Sequence, residues 1–285
     1  MRSIWRLAGL SALALSACSP AKLLNATISR SSLTITHDVA YGPNQRNKLD
    51  VYRPIGAGAA PVIVFFYGGA WNSGSKAMYP FVAATLARRG NVVVVPDYRL
   101  YPQVRYPAFL QDCARAVAWT AGHMGTIGGD PARLFVMGHS AGAYNAIMLA
   151  LDPRLLRDAG FDRDRLAGAI GLAGPYDFLP MTGENEKRVF ATVQDGPASQ
   201  PITYADGHAP PLLLLAGSAD ETVRPRNTAA LAARVRANGG RMESKIYSGI
   251  GHIGLVIAIA PIFQGKAPVL DDVESFIQAH RLGGR

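Results

Sequence analysis

Five short runs of small and apolar residues constrain this chain more than any other feature: Pro61–Phe66, Val92–Val95, Leu134–Met137, Ala167–Leu172 and Leu212–Leu215. A strand with one wet face alternates apolar and polar residues, whereas a strand buried on both faces does not. Between these runs, apolar residues recur at helical spacing over Tyr79–Arg89, Pro107–Thr120, Ala141–Ala150 and Pro225–Ala237. Strand and helix alternating in this way demand a parallel sheet with helices on both faces. Two alternating segments, Leu33–Thr36 and Lys48–Tyr52, read as an antiparallel pair at one edge of the sheet. A strand over Met242–Tyr247 and a helix over Val269–His280 close the domain. The expected fold class is therefore α/β, a mostly parallel central sheet of about eight strands. With 285 residues, 49% of them hydrophobic and 17% charged, the chain can fill such a core. No period of roughly 20–50 residues repeats.

One segment, Pro180–Pro210, breaks the strand–helix rhythm with Gly183 and Gly196-Pro197 around a helical stretch at Glu186–Gln194. It is expected to form a small lid on the domain rather than a second domain.

The N-terminus reads as a targeting segment. Arg2 and Arg6 precede an apolar stretch, Leu7–Ala17, too short to span a bilayer. It ends Leu15-Ser16-Ala17-Cys18, which resembles the bacterial lipobox, where the chain is cut before the Cys and the Cys takes lipid. Ser19 follows, not the Asp associated with inner-membrane retention. An ordinary secretory signal with a chance Cys is the alternative. The expectation is a signal peptide over 1–17, a polar tether over 18–32 and one domain over 33–285, exported as a lipoprotein and held through Cys18 on the periplasmic side of the outer membrane. The second cysteine, Cys113, falls in a helical pattern and is expected to be a buried small hydrophobe. No Cys/His spacing suggests zinc. The net charge of +9 could mark a nucleic-acid binder, but the Arg residues are scattered and no basic run interleaves with aromatics. They read as solvated faces, and no nucleic-acid partner is expected.

The chemistry is carried by Gly138-His139-Ser140-Ala141-Gly142, a G-x-S-x-G motif placed between the Leu134 strand and the helix that follows. Such a turn is sharp. Gly138, Ala141 and Gly142 leave room for it, and it lifts the Ser140 hydroxyl above the sheet. The Ala141 N–H then sits at a helix N-terminus, where it can stabilise a negative oxygen. A serine hydroxyl is a poor nucleophile and needs a base, itself oriented by a carboxylate. In the elbow type of site these follow in the order Ser, acid, His. His252, in a Gly-rich loop after the last strand, is the expected base. His208 precedes the Leu212 strand and is at the wrong end of the sheet. His280 lies near the C-terminus on a polar helix, expected exposed, while His37 and His123 precede the elbow. His139 is expected to pack rather than react. Asp220, shortly after the Leu212 strand, is the preferred acid, with Glu221 its competitor and Asp177 a further alternative. Asp97 is expected to be structural, paired with Arg99. Gly68-Gly69-Ala70 follows the third strand, so the N–H groups of Gly69 and Ala70, with Ala141, are candidate donors to an oxyanion. Each donor of that kind is typically worth about 3–4 kcal/mol of barrier.

Taken together, the elbow, the Gly-Gly turn, Asp97-Tyr98-Arg99-Leu100, Ser218-Ala219-Asp220 and Gly251-His252 resemble α/β-hydrolase carboxylesterases over roughly residues 45–282. The branch most similar is that of the hormone-sensitive lipases and kynurenine formamidases, whose turn reads H-G-G-G or H-G-G-x-W. The resemblance implies a serine ester hydrolase working through an acyl-enzyme, with no metal or organic cofactor; its motifs do not specify the substrate, and a small acyl or aryl ester is expected because no long lipase-like cap is evident in the sequence. A peptidase or amidase with the same triad, a catalytically inactive binding lipoprotein and a surface tether or assembly factor are the alternatives. One position departs from the pattern: Tyr67 stands where the family has His. In prolyl-oligopeptidase-like hydrolases a Tyr after this strand gives its hydroxyl to the oxyanion, so Tyr67 is either a structural brace or a direct donor. Trp71, Tyr98, Tyr101, Phe178 and Phe190 are candidates to line an acyl pocket, or else to pack the core.

Overall fold

The computed structural model describes residues 24–56, 58–193 and 196–282. Residues 1–17, expected to be a signal peptide, together with Cys18 and the first part of the expected tether, lie outside the described residues. Eight strands form one sheet: β1 Leu33–Ala40, β2 Lys48–Pro54, β3 Ala60–Phe66, β4 Val92–Pro96, β5 Gly129–His139, β6 Gly168–Leu172, β7 Leu212–Gly217 and β8 Met242–Tyr247. Their spatial order is β1-β2-β4-β3-β5-β6-β7-β8. β1 pairs antiparallel with β2, and β2 antiparallel with β4; every other pair is parallel. The parallel sheet is the one the sequence pattern required, and the molecule has the α/β-hydrolase fold that the resemblance implied. The uninterrupted runs are the interior strands: β3, β4, β6 and β7 are buried along their whole lengths. β8, at the open edge, alternates half-buried and exposed positions instead.

The helices are α1 Pro80–Arg88, α2 Ala108–Gly122, α3 Met124–Ile127, α4 Ala141–Leu151, α5 Pro153–Asp158, α6 Glu184–Val189, α7 Arg226–Ala237, α8 His252–Ile257 and α9 Val269–Ala279. α4 is buried along its whole length and, apart from Asn145 and the Tyr144 hydroxyl, apolar, as a helix between the sheet and other helices must be. Two differences from the sequence reading matter. Residues 24–32 are not simply a tether: Leu24 and Ile28 are buried, and the Asn25 side chain accepts the Phe81 N–H (3.0 Å), capping a donor at the start of α1. His252 does not sit in a loop but is the first residue of α8, which Leu255 and Val256 anchor in the core. Cys113 is buried and unbridged in α2, and burial raises its thiol pKa well above the ordinary value, so it is inert packing.

Parallel strands all end at the same rim, and that rim is where a doubly covered sheet can hold a ligand. β3 ends at the Gly-Gly turn, β5 at Ser140, β7 just before Asp220 and β8 just before His252.

Candidate active site

Ser140 sits between β5 and α4 with φ 57° and ψ −122°. A non-glycine residue in this region is strained by about 1–3 kcal/mol, so the surroundings must hold it. They do so by leaving no slack. A Cβ on Gly138 would lie 2.1 Å from the Gly142 carbonyl oxygen, and one on Gly142 would lie 2.0 Å from the Phe66 oxygen. α4, β3 and the end of β5 thus meet backbone to backbone, and only glycine fits at either point. The Ser140 N–H donates to the Leu172 carbonyl of β6 (2.8 Å), tying the elbow to the neighbouring strand.

The Ser140 Oγ–H faces His252 Nε2 at 2.9 Å. On the other side of the ring, His252 Nδ1 lies 2.8 Å from Asp220 Oδ2. Asp220 is fully buried, and its Oδ1 accepts the N–H groups of Thr222 (3.0 Å) and Val223 (2.8 Å). One carboxylate oxygen is thereby fixed by backbone, and the other is left to orient the imidazole. The structure brings together the three residues the chain order singled out. Glu221 is exposed and Asp177 is not in this line of bonds. The remaining histidines are elsewhere: His208 is exposed ahead of β7, His37 pairs with Asp50 (2.9 Å), and His123 stacks on Trp119 at 4.0 Å. His280, expected exposed, is half-buried with its ring 4.3 Å from Phe276.

His139 has a position the sequence did not reveal. Its ring is buried 4.9 Å from that of His252, and its Nε2–H donates to the His252 carbonyl (3.2 Å). A carbonyl can only accept, so the proton is on Nε2 and Nδ1 carries the lone pair. Nδ1 has no hydrogen-bond partner among the described residues. Burial, with the adjacent His252, lowers its pKa from 6.5 to about 3. The ring stays neutral and holds the backbone at the start of α8.

The turn after β3 lies against Ser140. A Cβ on Gly68 would be 3.0 Å from the Ser140 Cβ. Gly69 (φ 132°), Ala70 (φ 48°) and Trp71 (φ 59°) follow with positive φ in succession. The Tyr67 side chain points to the other side. Its hydroxyl donates to Asp97 Oδ1 (2.8 Å), accepts from an Arg46 guanidinium N–H (2.8 Å), and its ring stacks on Tyr98 at 4.8 Å. Asp97 Oδ1 also takes the Lys76 N–H (2.8 Å), and Arg46 donates to the Gly74 carbonyl (3.1 Å). This group clamps both ends of the turn. The expected Asp97–Arg99 pair does not form; Arg99 instead grips Asp112 of α2 through two bonds of 2.7 and 2.9 Å. The Asp112 side chain is fully buried.

Most of the aromatic residues considered for an acyl pocket are structural. Trp71, Tyr98 and Phe190 are buried. Trp71 meets Tyr144 edge-on at 5.1 Å and Phe190 edge-on at 4.9 Å, and its Nε1–H donates to Asn145 (3.0 Å). Phe178 and Tyr101 are half-buried. The segment expected as a lid holds α6 at 184–189, shorter than expected, then 3-10 turns at Pro197–Ser199 and Pro201–Tyr204.

Residues 49–235 match the family model described as BD-FAE. Among curated proteins, the chain is 28% identical to the isoprenylcysteine alpha-carbonyl methylesterase ICME of Arabidopsis thaliana, over 87% of the chain and 63% of that protein. It is 30% identical to the esterase LipQ of Mycobacterium tuberculosis, over 88% of the chain and 64% of that protein. The chain thus spans less than two thirds of the length of these relatives. Among solved structures, a truncated carbohydrate esterase from gut microbiota superposes with a TM-score of 0.78 at 19% identity, covering 88% of this chain and 98% of that one. A thermophilic esterase of Thermogutta terrifontis gives 0.71 at 22% identity, over 90% and 98%.

Proposed function

The chain belongs to the BD-FAE family, within the α/β-hydrolase esterases, and on that premise we propose that it is a serine ester hydrolase acting through an acyl-enzyme on small acyl or aryl esters. The observation that carries this is the unbroken line Asp220–His252–Ser140, ending beside the Gly68–Ala70 turn. Ser140 Oγ attacks the acyl carbonyl while His252 Nε2 takes its proton. Asp220 keeps the Nδ1 proton in place and stabilises the imidazolium that forms. Carbonyl oxygen becomes oxyanion, and the Gly69, Ala70 and Ala141 N–H groups receive it, the last with the dipole of α4 behind it. His252 then gives its proton to the leaving alcohol, and water repeats the sequence on the acyl-enzyme. Tyr67 acts as the brace, since its hydroxyl is engaged by Asp97 and Arg46.

Ester rather than amide substrates are supported by the relatives, a methylesterase and an esterase. The placement near the hormone-sensitive-lipase and kynurenine-formamidase branch rests on the Gly68-Gly69-Ala70-Trp71 turn. Export with lipid on Cys18 rests on Leu15-Ser16-Ala17-Cys18, and incorporation of labelled palmitate lost in Cys18→Ala is its test.

The deciding experiment is fluorophosphonate labelling with peptide mapping, alongside hydrolysis of p-nitrophenyl acetate by wild type and Ser140→Ala. Label on Ser140, with turnover lost in the variant, is expected. A folded protein that neither labels nor turns over would make this a binding protein and overturn the proposal.

A further inference from the structure

The lid segment hydrogen-bonds to the oxyanion turn through Asn185. Asn185, in the first turn of α6, donates its Nδ2–H to the Ala70 carbonyl (2.9 Å) and accepts the Asn72 Nδ2–H on its Oδ1 (2.6 Å). Asn185 is more than a hundred residues from Ala70 in sequence.

The geometry of the turn shows why this bond matters. A peptide unit is planar and trans, so its N–H points opposite to its C=O. The Gly69 carbonyl accepts from the Asn72 N–H (3.1 Å), the Ser73 N–H (3.0 Å) and the Ser73 hydroxyl (3.0 Å). Those three bonds pin one peptide plane, and with it the Ala70 N–H on the opposite side. The next plane, which starts at the Ala70 carbonyl, is held by Asn185. Between the two planes lies Ala70 itself at φ 48°, followed by Trp71 at φ 59°. Each such residue is less stable than an ordinary conformer by about 1–2 kcal/mol, so this stretch relaxes unless both planes are fixed. The lid grips the turn a second time where Phe190 packs edge-on against Trp71 at 4.9 Å. The far end of α6 is fastened to the domain, the Tyr106 N–H donating to the Val189 carbonyl (3.0 Å) and Arg105 Nε to the Arg188 carbonyl (3.1 Å).

We propose that Asn185 is a positioning residue: the Ala70 N–H is aimed by the bonds to the Gly69 carbonyl, and Asn185, by holding the Ala70 carbonyl in the following peptide plane, keeps Ala70 at its positive φ and the turn in the shape that presents that N–H, so the oxyanion hole is complete only while the lid segment is seated on the turn. This rests on the reading of Ser140 as nucleophile and of the turn as oxyanion hole. It makes the 180–210 segment part of the rate-determining machinery and not only a cover over the substrate.

The test uses Asn185→Asp, Asn185→Ala and the control Lys187→Ala. The Asp variant is isosteric and keeps the acceptor for Asn72, but sets a carboxylate oxygen against the Ala70 carbonyl. Loss of a whole oxyanion donor lowers kcat by about 10²–10³-fold; loosening one is expected to lower it about 10–100-fold, with KM within about twofold. The Ki of a trifluoromethyl ketone, whose adduct places an oxyanion in the hole, should rise by the same factor. Thermal midpoints should match wild type, and Lys187→Ala should match it in rate. Asn185→Asp at wild-type kcat and Ki would overturn the inference while leaving the nucleophile in place. A raised KM at unchanged kcat would also overturn it, by making Asn185 a substrate contact. Ser140→Ala turning over as fast as wild type would instead overturn the reading on which the inference rests.

Discussion

Acid should expose an opposition between a buried histidine and a half-buried glutamate at opposite ends of the sheet. His139, at the catalytic rim, has its pKa lowered to about 3 by burial. In the unfolded chain it binds a proton near 6.5. The unfolded state therefore holds more protons as pH falls, and stability drops by roughly 1.4 kcal/mol per pH unit between about 6.5 and 3. Glu274, on α9, behaves in the opposite sense. Burial raises its carboxyl pKa from 4.5 to about 7, against the bond from Asn91 Nδ2 (2.8 Å) that lowers it. Its contribution is fully present below pH 4.5 and is lost as pH rises towards about 7. Relative to pH 8, at pH 4.5 His139 removes about 2.7 kcal/mol, and Glu274 adds about 2–3 kcal/mol, its partial exposure arguing for the lower figure. The wild-type profile should thus be nearly flat from these two groups. Single variants should tilt it in opposite directions. His139→Gln keeps a donor for the His252 carbonyl without a titration, and its stability relative to wild type should improve by about 2–3 kcal/mol on going from pH 8 to pH 4.5. Glu274→Gln should lose about 2 kcal/mol on the same scale. Urea unfolding at half-unit pH intervals measures both, and taking differences from wild type removes all other titrations. A difference for His139→Gln that stays constant with pH, within about 0.5 kcal/mol, would refute the assignment of a buried neutral imidazole.

Two further variants separate roles within the site. Asp220→Asn sets an amide N–H against His252 Nδ1 and forces the proton to Nε2, where it blocks Ser140; kcat on p-nitrophenyl acetate should fall about 10⁴-fold with the melting temperature preserved. Tyr67→Phe removes a donor from Asp97, which keeps the Lys76 N–H at 2.8 Å and has Arg46 at 3.6 Å. It should cost about 1–2 kcal/mol in urea unfolding while kcat/KM changes only a few-fold; a hundredfold loss would instead put the hydroxyl on the oxyanion.

The strands, the elbow and the meeting of Ser140, His252 and Asp220 were legible in the sequence because each leaves a local mark. A strand buried on both faces reads as an apolar run; a turn that tolerates no Cβ reads as glycine at 138 and 142; acid and base follow strand ends in a set order. What could not be read was partnership between distant segments. Arg99 chose Asp112 over Asp97 because α2 packs beside the end of β4, a fact of tertiary geometry. Of the aromatic residues considered for the pocket, Trp71, Tyr98 and Phe190 are buried in the core, and composition alone does not tell a wall from a foundation. Asn185 carries no signal at all: a lone Asn in a short helix is ordinary until the turn beneath it is seen. His139 was expected to pack, which it does, but its grip on the His252 carbonyl depends on the placement of α8.

The aromatic cluster has a consequence for how such a protein can change. Trp71 belongs to the turn, Phe190 to the lid and Tyr144 to α4, the helix that follows the nucleophile. A new substrate would be accommodated most directly by altering the lid, yet any repacking there is felt at once by the turn and the elbow. Selectivity and turnover are thus inherited together on this side of the rim. Variation is freer at Ile253, next to His252 in the chain, and at Ile262, both more than half exposed. Lineages that diverge in substrate while keeping their rate should accumulate their changes there first.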